Sequence, residues 1–276
     1  MGMRITTNVA AINTQRQLVN SQRNIQNSMA QLSSGYRINK SADDAAGLAI
    51  SENMKSQLRS IVQARRNAND GISLVQTAEG ALNEITNITT RVRELAIQAS
   101  SDTVGDRERG FINLEVGQLK SEIDRIAATS RWNSTPLLDG TTPTFDFQIG
   151  TFATDNDKIT FDATQNVATL EALGLSNIDF ATKEGARDAL ALVDTAQDQI
   201  SGMRSNIGAI QNRLTSTVDT LSVTEENMAA ANSRIRDTDI AQTSSEMARN
   251  SVMLQAGTAT LVQANQASML ALKLLG

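Results

Sequence analysis

The 276-residue chain contains no cysteine and no histidine. Without cysteine it can form no disulfide, no thiolate nucleophile and no zinc–cysteine site. Without histidine it has no imidazole metal ligand, and it lacks the side chain that enzymes use most often as a general base. These absences predict a protein with no metal site and no cofactor, and they argue against catalysis.

The candidates that remain for a catalytic site are two pairs of adjacent carboxylates, Asp43 with Asp44 and Glu225 with Glu226. Adjacent side chains on a helix point in different directions. Such pairs are therefore more typical of a solvated face or a helix start than of joint acid–base chemistry. We predict that the chain is not an enzyme.

Aromatic residues make up only 3% of the chain, and its two prolines are Pro136 and Pro143, so most of it is free to be helical. The net charge is −5 and no basic stripe is present, which predicts no nucleic-acid partner. No segment has the apolar length of a membrane span, so we expect no membrane insertion. The first 15 residues do not resemble a secretory signal peptide, so export would need a route without a cleaved signal.

The strongest pattern in the chain is a heptad repeat between residues 193 and 235. Apolar or small residues alternate there at steps of three and four, and no proline interrupts them. This period is typical of a coiled coil or a long helical bundle, whose apolar stripe must be buried against other helices. We predict a long helix that begins near Thr182. The seam residues are Val193, Ala196, Ile200, Met203, Ile207, Ile210, Leu214, Thr217, Leu221, Thr224, Met228, Ala231 and Ile235.

Further helices are predicted over residues 5–33 and 42–100 and in a segment after residue 106, each with an apolar stripe. Ser41 with Asp44, and Thr243 with Glu246, resemble capping boxes at helix starts. Between about residues 143 and 163 the period changes to two, which predicts a β-hairpin.

The last helix ends in a segment, residues 269–275, that is apolar nearly all round. Such a helix requires burial on all sides, which one partner cannot supply. The chain therefore reads as mainly α, an elongated helical rod or coiled-coil bundle with a small β-hairpin region. Its N- and C-terminal helices are predicted to pair antiparallel.

Several longer motifs resemble bacterial flagellin. They include LSSGYRIN at 32–39, DDAAGLAI at 43–50, RVRELAIQ at 91–98 and SRIRDTDIA at 233–241. The resemblance covers nearly the whole chain and keeps the order of the family's motifs. It implies an inner coiled-coil domain of residues 1–43 plus 238–276 and a helical rod domain of residues 44–237 with the hairpin. No large outer domain is expected, because little more than the hairpin lies between the helices.

The resemblance implies a structural subunit that is exported through the flagellar type III apparatus and polymerises into the extracellular filament used for swimming. Its partners would be other copies of itself, an export chaperone, the filament cap and hook-associated proteins, and host Toll-like receptor 5. A hook–filament junction protein is the alternative within this class, and an intracellular helical signalling rod is a more distant one.

Two sets of interaction residues follow from the resemblance. Receptor recognition and subunit contact are expected at Arg91, Leu95, Gln98 and Glu115, with Leu95 at the edge of the buried stripe and open to a neighbour. Inner-core packing between subunits and chaperone binding are expected at Leu18, Ile25, Leu32, Leu254, Leu261, Leu270, Leu272, Leu274 and Leu275.

Overall fold

The computed structural model describes residues 7–141 and 144–273, and it describes side chains as far as residue 266. The α-helices in this part of the chain are α1 (Val9–Ser34), α2 (Ala45–Ala99), α3 (Asp106–Thr129), α4 (Lys183–Arg236) and α5 (Ile240–Lys273). The fold is mainly α, as predicted, and α4 starts one residue after the expected position.

The heptad seam of α4 is confirmed over its first half. Its seam residues from Val193 to Leu214 are buried, apart from the half-buried Met203. Beyond Leu214 the described seam positions are half-buried or exposed. The apolar period therefore predicts the helix over its whole length. Near the C-terminal end of the helix, however, the seam residues are less buried than the period indicates.

The starts of α2 and α5 are capped by aspartates rather than by the two predicted capping boxes. Asp44 Oδ1 accepts a hydrogen bond from Gly47 N, and Asp239 Oδ1 accepts from Ala241 N. Thr243 lies inside α5 instead of at its start. These two predictions are wrong because a short acidic side chain immediately before the helix already satisfies the free amide groups. The end of α1 is as predicted, with Gly35 in the left-handed conformation at φ 74°.

The predicted hairpin is present as strands β3 (Thr144–Gln148) and β4 (Lys158–Asp162), which pair antiparallel with Phe145 opposite Phe161. Two shorter strands, β1 (Arg131–Trp132) and β2 (Thr135–Pro136), form a hairpin that the sequence did not predict. Both of its turn residues, Asn133 and Ser134, have positive φ.

The contacts of the chain divide it into two compact units. The terminal unit contains the chain before Gln57 and after Glu226, and the central unit is Gln57–Glu226. The division falls inside α2 and α4. The predicted domain boundaries, at 43/44 and 237/238, fall in the connectors next to these helices and stay a prediction about the assembled protein.

The central unit has one continuous apolar core, to which α2, α3, α4, the β3–β4 hairpin and the irregular segment before α4 contribute. Phe161 and Phe180 are completely buried in it. The hairpin approaches α2 closely at Gly71, where an added Cβ would lie 3.1 Å from the Phe147 ring. Glycine at this position therefore allows the hairpin to pack directly against the helix.

Candidate interaction surfaces

Within the terminal unit, α1 and α5 pack against each other in opposite directions. Near the start of α1, Asn8 Nδ2 donates to Ala264 O at 3.0 Å. At its other end, Tyr36 pairs with Asp237 in an antiparallel bridge. Arg37 N donates to Arg236 O at 2.7 Å, and Thr238 N donates to Gly35 O at 3.0 Å. The predicted antiparallel pairing of the terminal helices is confirmed.

The seam between α1 and α5 repeats every seven residues in both helices, and large apolar residues alternate with small or polar ones. The buried and half-buried positions of α1 include Ala11, Thr14, Leu18, Ser21, Ile25, Ser28 and Leu32. Those of α5 include Thr243, Met247, Asn250, Leu254, Gly257, Leu261 and Ala264. Five of the predicted inner-core residues, Leu18, Ile25, Leu32, Leu254 and Leu261, therefore lie on this seam.

The register of the seam is visible at Leu18 and Gly257. A Cβ added to Gly257 would lie 2.6 Å from Leu18 Cδ2, so glycine leaves room for the leucine in its present conformation. Following the helices from that contact places Ser21 at the level of Leu254. Large residues of one helix thus face small residues of the other, which is knobs-into-holes packing with a fixed register.

Four predicted residues lie beyond this seam. Leu270 and Leu272 belong to the described helix α5, but their side chains lie outside the described part. Leu274 and Leu275 lie outside the described residues altogether. Their proposed role in assembly stays a prediction.

The α1–α5 pair leaves much apolar surface in water. Among its described side chains, the fully buried ones are all polar: Ser21, Ser28 and Thr243. Eight large apolar side chains are about half exposed or more: Val9, Ile12, Val19, Met29, Ile240, Val252, Met253 and Val262. A helical pair with this much apolar surface in water gains stability when a further partner covers it.

A groove of about 370 Å³ runs along one side of the same pair. Asn13, Thr14, Gln17 and Leu18 line it from α1, and Met253, Ala256, Gly257 and Thr260 line it from α5. None of these residues carries a charge. The missing side chain of Gly257 contributes to the depth of the groove.

In the central unit, Arg91 of α2 and Glu115 of α3 form a surface ion pair. Two of the residues predicted for receptor recognition therefore lie side by side. Arg91 Nε and Nη2 donate to Glu115 Oε1 at 3.1 and 2.9 Å, and Arg91 Nη1 donates to Glu94 Oε2 at 3.0 Å. The hydrogen bond to Glu115 is the main cause that raises the pKa of Arg91, followed by that to Glu94. Both side chains of the pair remain about half exposed.

Leu95 does not lie where the sequence placed it. Its side chain is only 2% exposed and belongs to the core, so it is not open to a neighbouring molecule. The next residue, Ala96, is buried as well. Two consecutive buried residues show that α2 is covered over a wider arc than the predicted single stripe, and this width is the reason for the error. Gln98 is exposed, as predicted.

The sequence missed three apolar residues on the same two helices. Phe111, Leu114 and Ile97 are 60%, 70% and 49% exposed. The guanidinium of Arg107 lies 5.9 Å from the centre of the Phe111 ring. A signal for this was present, because Phe111 and Leu114 fall outside the stripe that begins with Ile112 and Val116. Large apolar residues off the core stripe are candidates for contact with another molecule.

Arg109 was also missed. It is buried, and two of its three hydrogen bonds connect the start of α3 to the end of α2 and the turn that follows it. Its guanidinium donates to Ala99 O at 2.9 Å, to Ser101 O at 3.0 Å and to Asp106 Oδ1 at 2.8 Å. It thereby fixes the turn between the two helices that carry Arg91 and Glu115.

Comparison with known proteins decides the family. Residues 5–142 match the bacterial flagellin N-terminal helical region, and residues 190–275 match the bacterial flagellin C-terminal helical region. The chain belongs to the bacterial flagellin family. It is 42% identical to a flagellin of Halalkalibacterium halodurans over 273 residues, covering 99% of this chain and 100% of that protein. It is 41% identical to a flagellin of Bacillus subtilis over 303 residues, with the same coverage.

Other similar proteins agree with membership in the flagellin family. A flagellar filament core protein of Brachyspira hyodysenteriae is 40% identical over 288 residues, covering 99% of this chain and 100% of that protein. The crystal structure of Bacillus cereus flagellin superposes with a TM-score of 0.51 at 29% identity, over 60% of this chain and 94% of that one. A protein described as flagellar hook-associated, from Vibrio parahaemolyticus, has a TM-score of 0.60 at 14% identity, over 71% of this chain and 100% of that one. At that identity it supports the fold alone.

The predicted family and fold class are therefore confirmed for this flagellin. Its full-length match to relatives of similar size agrees with a short form that lacks a large middle domain. In the described residues, no helix has the length and apolarity needed to cross a membrane. Over the same part of the chain, no three acidic side chains cluster in a way that could hold a metal ion.

Proposed function

We propose that this flagellin is the structural subunit of a bacterial flagellar filament, the propeller for swimming. The observation that supports it best is the α1–α5 pair, in which eight large apolar side chains are exposed and, among the described side chains, the fully buried ones are polar. Such a pair gains most of its stability when other copies cover it. Relatives that are about 40% identical over the whole chain are named flagellin or flagellar filament core protein.

The hook–filament junction protein is the less favoured alternative. The likeness to a hook-associated protein is one of fold, at 14% identity, whereas the full-length relatives are flagellins and filament core proteins. The family is a structural one, and catalysis is not part of the proposal. The extracellular filament is the proposed location, with export through the flagellar type III apparatus and an export chaperone that binds α5. The cap and hook-associated proteins are the proposed partners during assembly.

Polymerisation of the purified protein tests this function. Wild-type protein, seeded with short filament fragments, should give long helical filaments in electron microscopy. Val252→Asp should prevent growth without changing the circular dichroism of the monomer, because a charge in an apolar contact is costly and Val252 has no core to disrupt. Gln255→Glu adds the same charge at an exposed polar position of α5 and should retain growth. Wild-type protein that forms only short junctions or no polymer would contradict the proposal.

Recognition by host Toll-like receptor 5 is proposed as a second property, at the surface formed by Arg91, Gln98 and Glu115. The ion pair between α2 and α3 supports it, since it presents an ordered charged surface on two rigid helices. We expect monomer to activate receptor-reporter cells and filaments to do so poorly, because assembly covers this face.

The matched variants for this test are Arg91→Ala and Arg93→Ala. Arg93 is a half-exposed arginine two residues away, and it pairs with Asp194 on α4 instead of with Glu115. Arg91→Ala should weaken activation and Arg93→Ala should not. Equal activation by the two variants, or no activation by wild type, would contradict recognition at this surface.

A further inference from the structure

The turn between β1 and β2 holds two residues in a conformation that side chains rarely adopt. Asn133 has φ 45° and Ser134 has φ 71°, and in the described part of the chain the other residues with positive φ are glycines. Asparagine tolerates this left-handed conformation, whereas the Cβ of serine makes it unfavourable. Two-residue hairpin turns of this kind favour asparagine followed by glycine. A serine in the second place therefore leaves the turn strained.

The same two residues form a pair that can react with itself. The backbone nitrogen that follows an asparagine can attack the side-chain amide carbon and close a five-membered imide. A small residue such as serine or glycine after the asparagine hinders this attack little. The sequence contains Asn-Ser five times and Asn-Gly nowhere. The asparagines of these pairs are Asn20, Asn27, Asn133, Asn232 and Asn250.

The fold separates Asn133 from the other four. Those four lie in α1, α4 and α5, and in a helix interior the backbone N–H is fixed because it donates to the carbonyl group four residues earlier. Ser134 instead lies outside the ladder of β1 and β2, whose last pair is Trp132 with Thr135. In the part of the chain that the structure describes, Ser134 N donates no hydrogen bond, and both turn residues are exposed. The attacking nitrogen is therefore least restrained at Asn133.

We propose that Asn133 is a site of spontaneous covalent modification, at which asparagine is converted to isoaspartate and aspartate. Ser134 N gives up its proton and attacks Asn133 Cγ. The new N–C bond forms while the C–N bond of the side-chain amide breaks, and the amide leaves as ammonia with that proton. Water then opens the imide. Its addition at the side-chain carbonyl gives aspartate, and its addition at the main-chain carbonyl gives isoaspartate, in which the backbone runs through the former side chain.

Isoaspartate should rearrange the turn, because it adds one carbon to the backbone of a two-residue loop. Strands β1 and β2 have two residues each, and the turn sets their register. Trp132, the single tryptophan of the chain, is half-buried against the core directly before this turn. Its fluorescence therefore reports on this hairpin without a contribution from any other tryptophan.

Mass spectrometry of digests, after incubation of the purified protein in mildly alkaline buffer, measures the modification. Deamidation changes the mass of a peptide, and the aspartate and isoaspartate forms separate by chromatography. Arg59→Asn is the matched control, since it places an asparagine before Ser60 at an exposed position of α2. We expect the peptide with Asn133 to be modified several-fold faster than the peptide with position 59 in the folded variant, and at a similar rate in guanidinium chloride. Similar rates in the folded protein would overturn the proposal. The same preference for Asn133 in denaturant would overturn it as well, because the turn would then not be its cause.

Asn133→Gly provides a second measurement. Glycine adopts positive φ freely, so the turn should be retained, but the reacting amide is gone. The emission of Trp132 should shift in the wild type as isoaspartate accumulates, and it should stay constant in Asn133→Gly over the same time. An equal drift in both proteins would overturn the link between the modification and the turn. A constant emission in wild-type protein that has accumulated isoaspartate would overturn the predicted rearrangement.

Discussion

Replacement of Leu95 by alanine separates a core role from a contact role at the α2–α3 surface. The side chain is 2% exposed and lies in the core of the central unit. Its truncation should therefore lower the free energy of unfolding by about 2–5 kcal/mol, from the lost burial and the cavity that remains. In a unit of this size, each 1 kcal/mol lowers the melting temperature by about 2–4 °C, so a fall of roughly 4–20 °C is expected.

Leu114→Ala is the matched control because it makes the same substitution on a neighbouring helix at a side chain that is 70% exposed. Both changes introduce the same helix former, so propensity effects cancel. The control should change the free energy of unfolding by no more than about 0.5 kcal/mol. Thermal unfolding of the two monomers, followed by circular dichroism, makes the comparison. Equal melting temperatures would refute the assignment of Leu95 to the core.

Four further outcomes are expected. Arg109→Met should lower the free energy of unfolding by about 1–3 kcal/mol in denaturant titrations, because the carbonyl groups at the end of α2 lose their donor. Lys183→Ala should raise the pKa of Asp102, measured by NMR titration, because the hydrogen bond from Lys183 is the main cause that lowers it. In the wild type, the stabilisation from that pair is present above the ordinary carboxylate pKa and is lost as pH falls through the lowered pKa of the folded state. Leu270→Asp should abolish sedimentable polymer and leave the central unit folded, which circular dichroism of the soluble fraction checks. Amide hydrogen exchange should be fast in α1 and α5 of the monomer and slow in the filament, and strong protection in a verified monomer would contradict this.

The sequence predicted most of the fold because its heptad periods are long and no proline interrupts the helices. It predicted the hairpin because Phe145, Phe147 and Ile159 alternate with polar residues over strands that proved to be paired. It could not predict that Leu95 is buried, since a period shows the direction of a stripe and not how many neighbours cover its edges.

The sequence also could not predict the hydrogen bonds by which Arg109 fixes the turn between α2 and α3. Its three hydrogen bonds end on two backbone carbonyls and one carboxylate, and backbone acceptors leave no pattern in the sequence. The α1–α5 seam was predicted at its large residues, whereas Gly257 was overlooked. A glycine in a helix is informative only when the residue opposite it is known, and here that residue is Leu18.

The connectors at the end of the terminal pair have a mechanical consequence. Two chain segments leave the α1–α5 pair side by side, and backbone hydrogen bonds at Arg37 and Thr238 join them. Arg236 adds a lateral tie, because it stacks 4.7 Å from the centre of the Tyr36 ring and bonds to Glu52. A pulling or twisting load on the terminal helices is therefore divided between both connectors. Neither connector can be stretched alone until the hydrogen bonds between the two connectors have broken. Together they therefore resist twisting better than two independent linkers would.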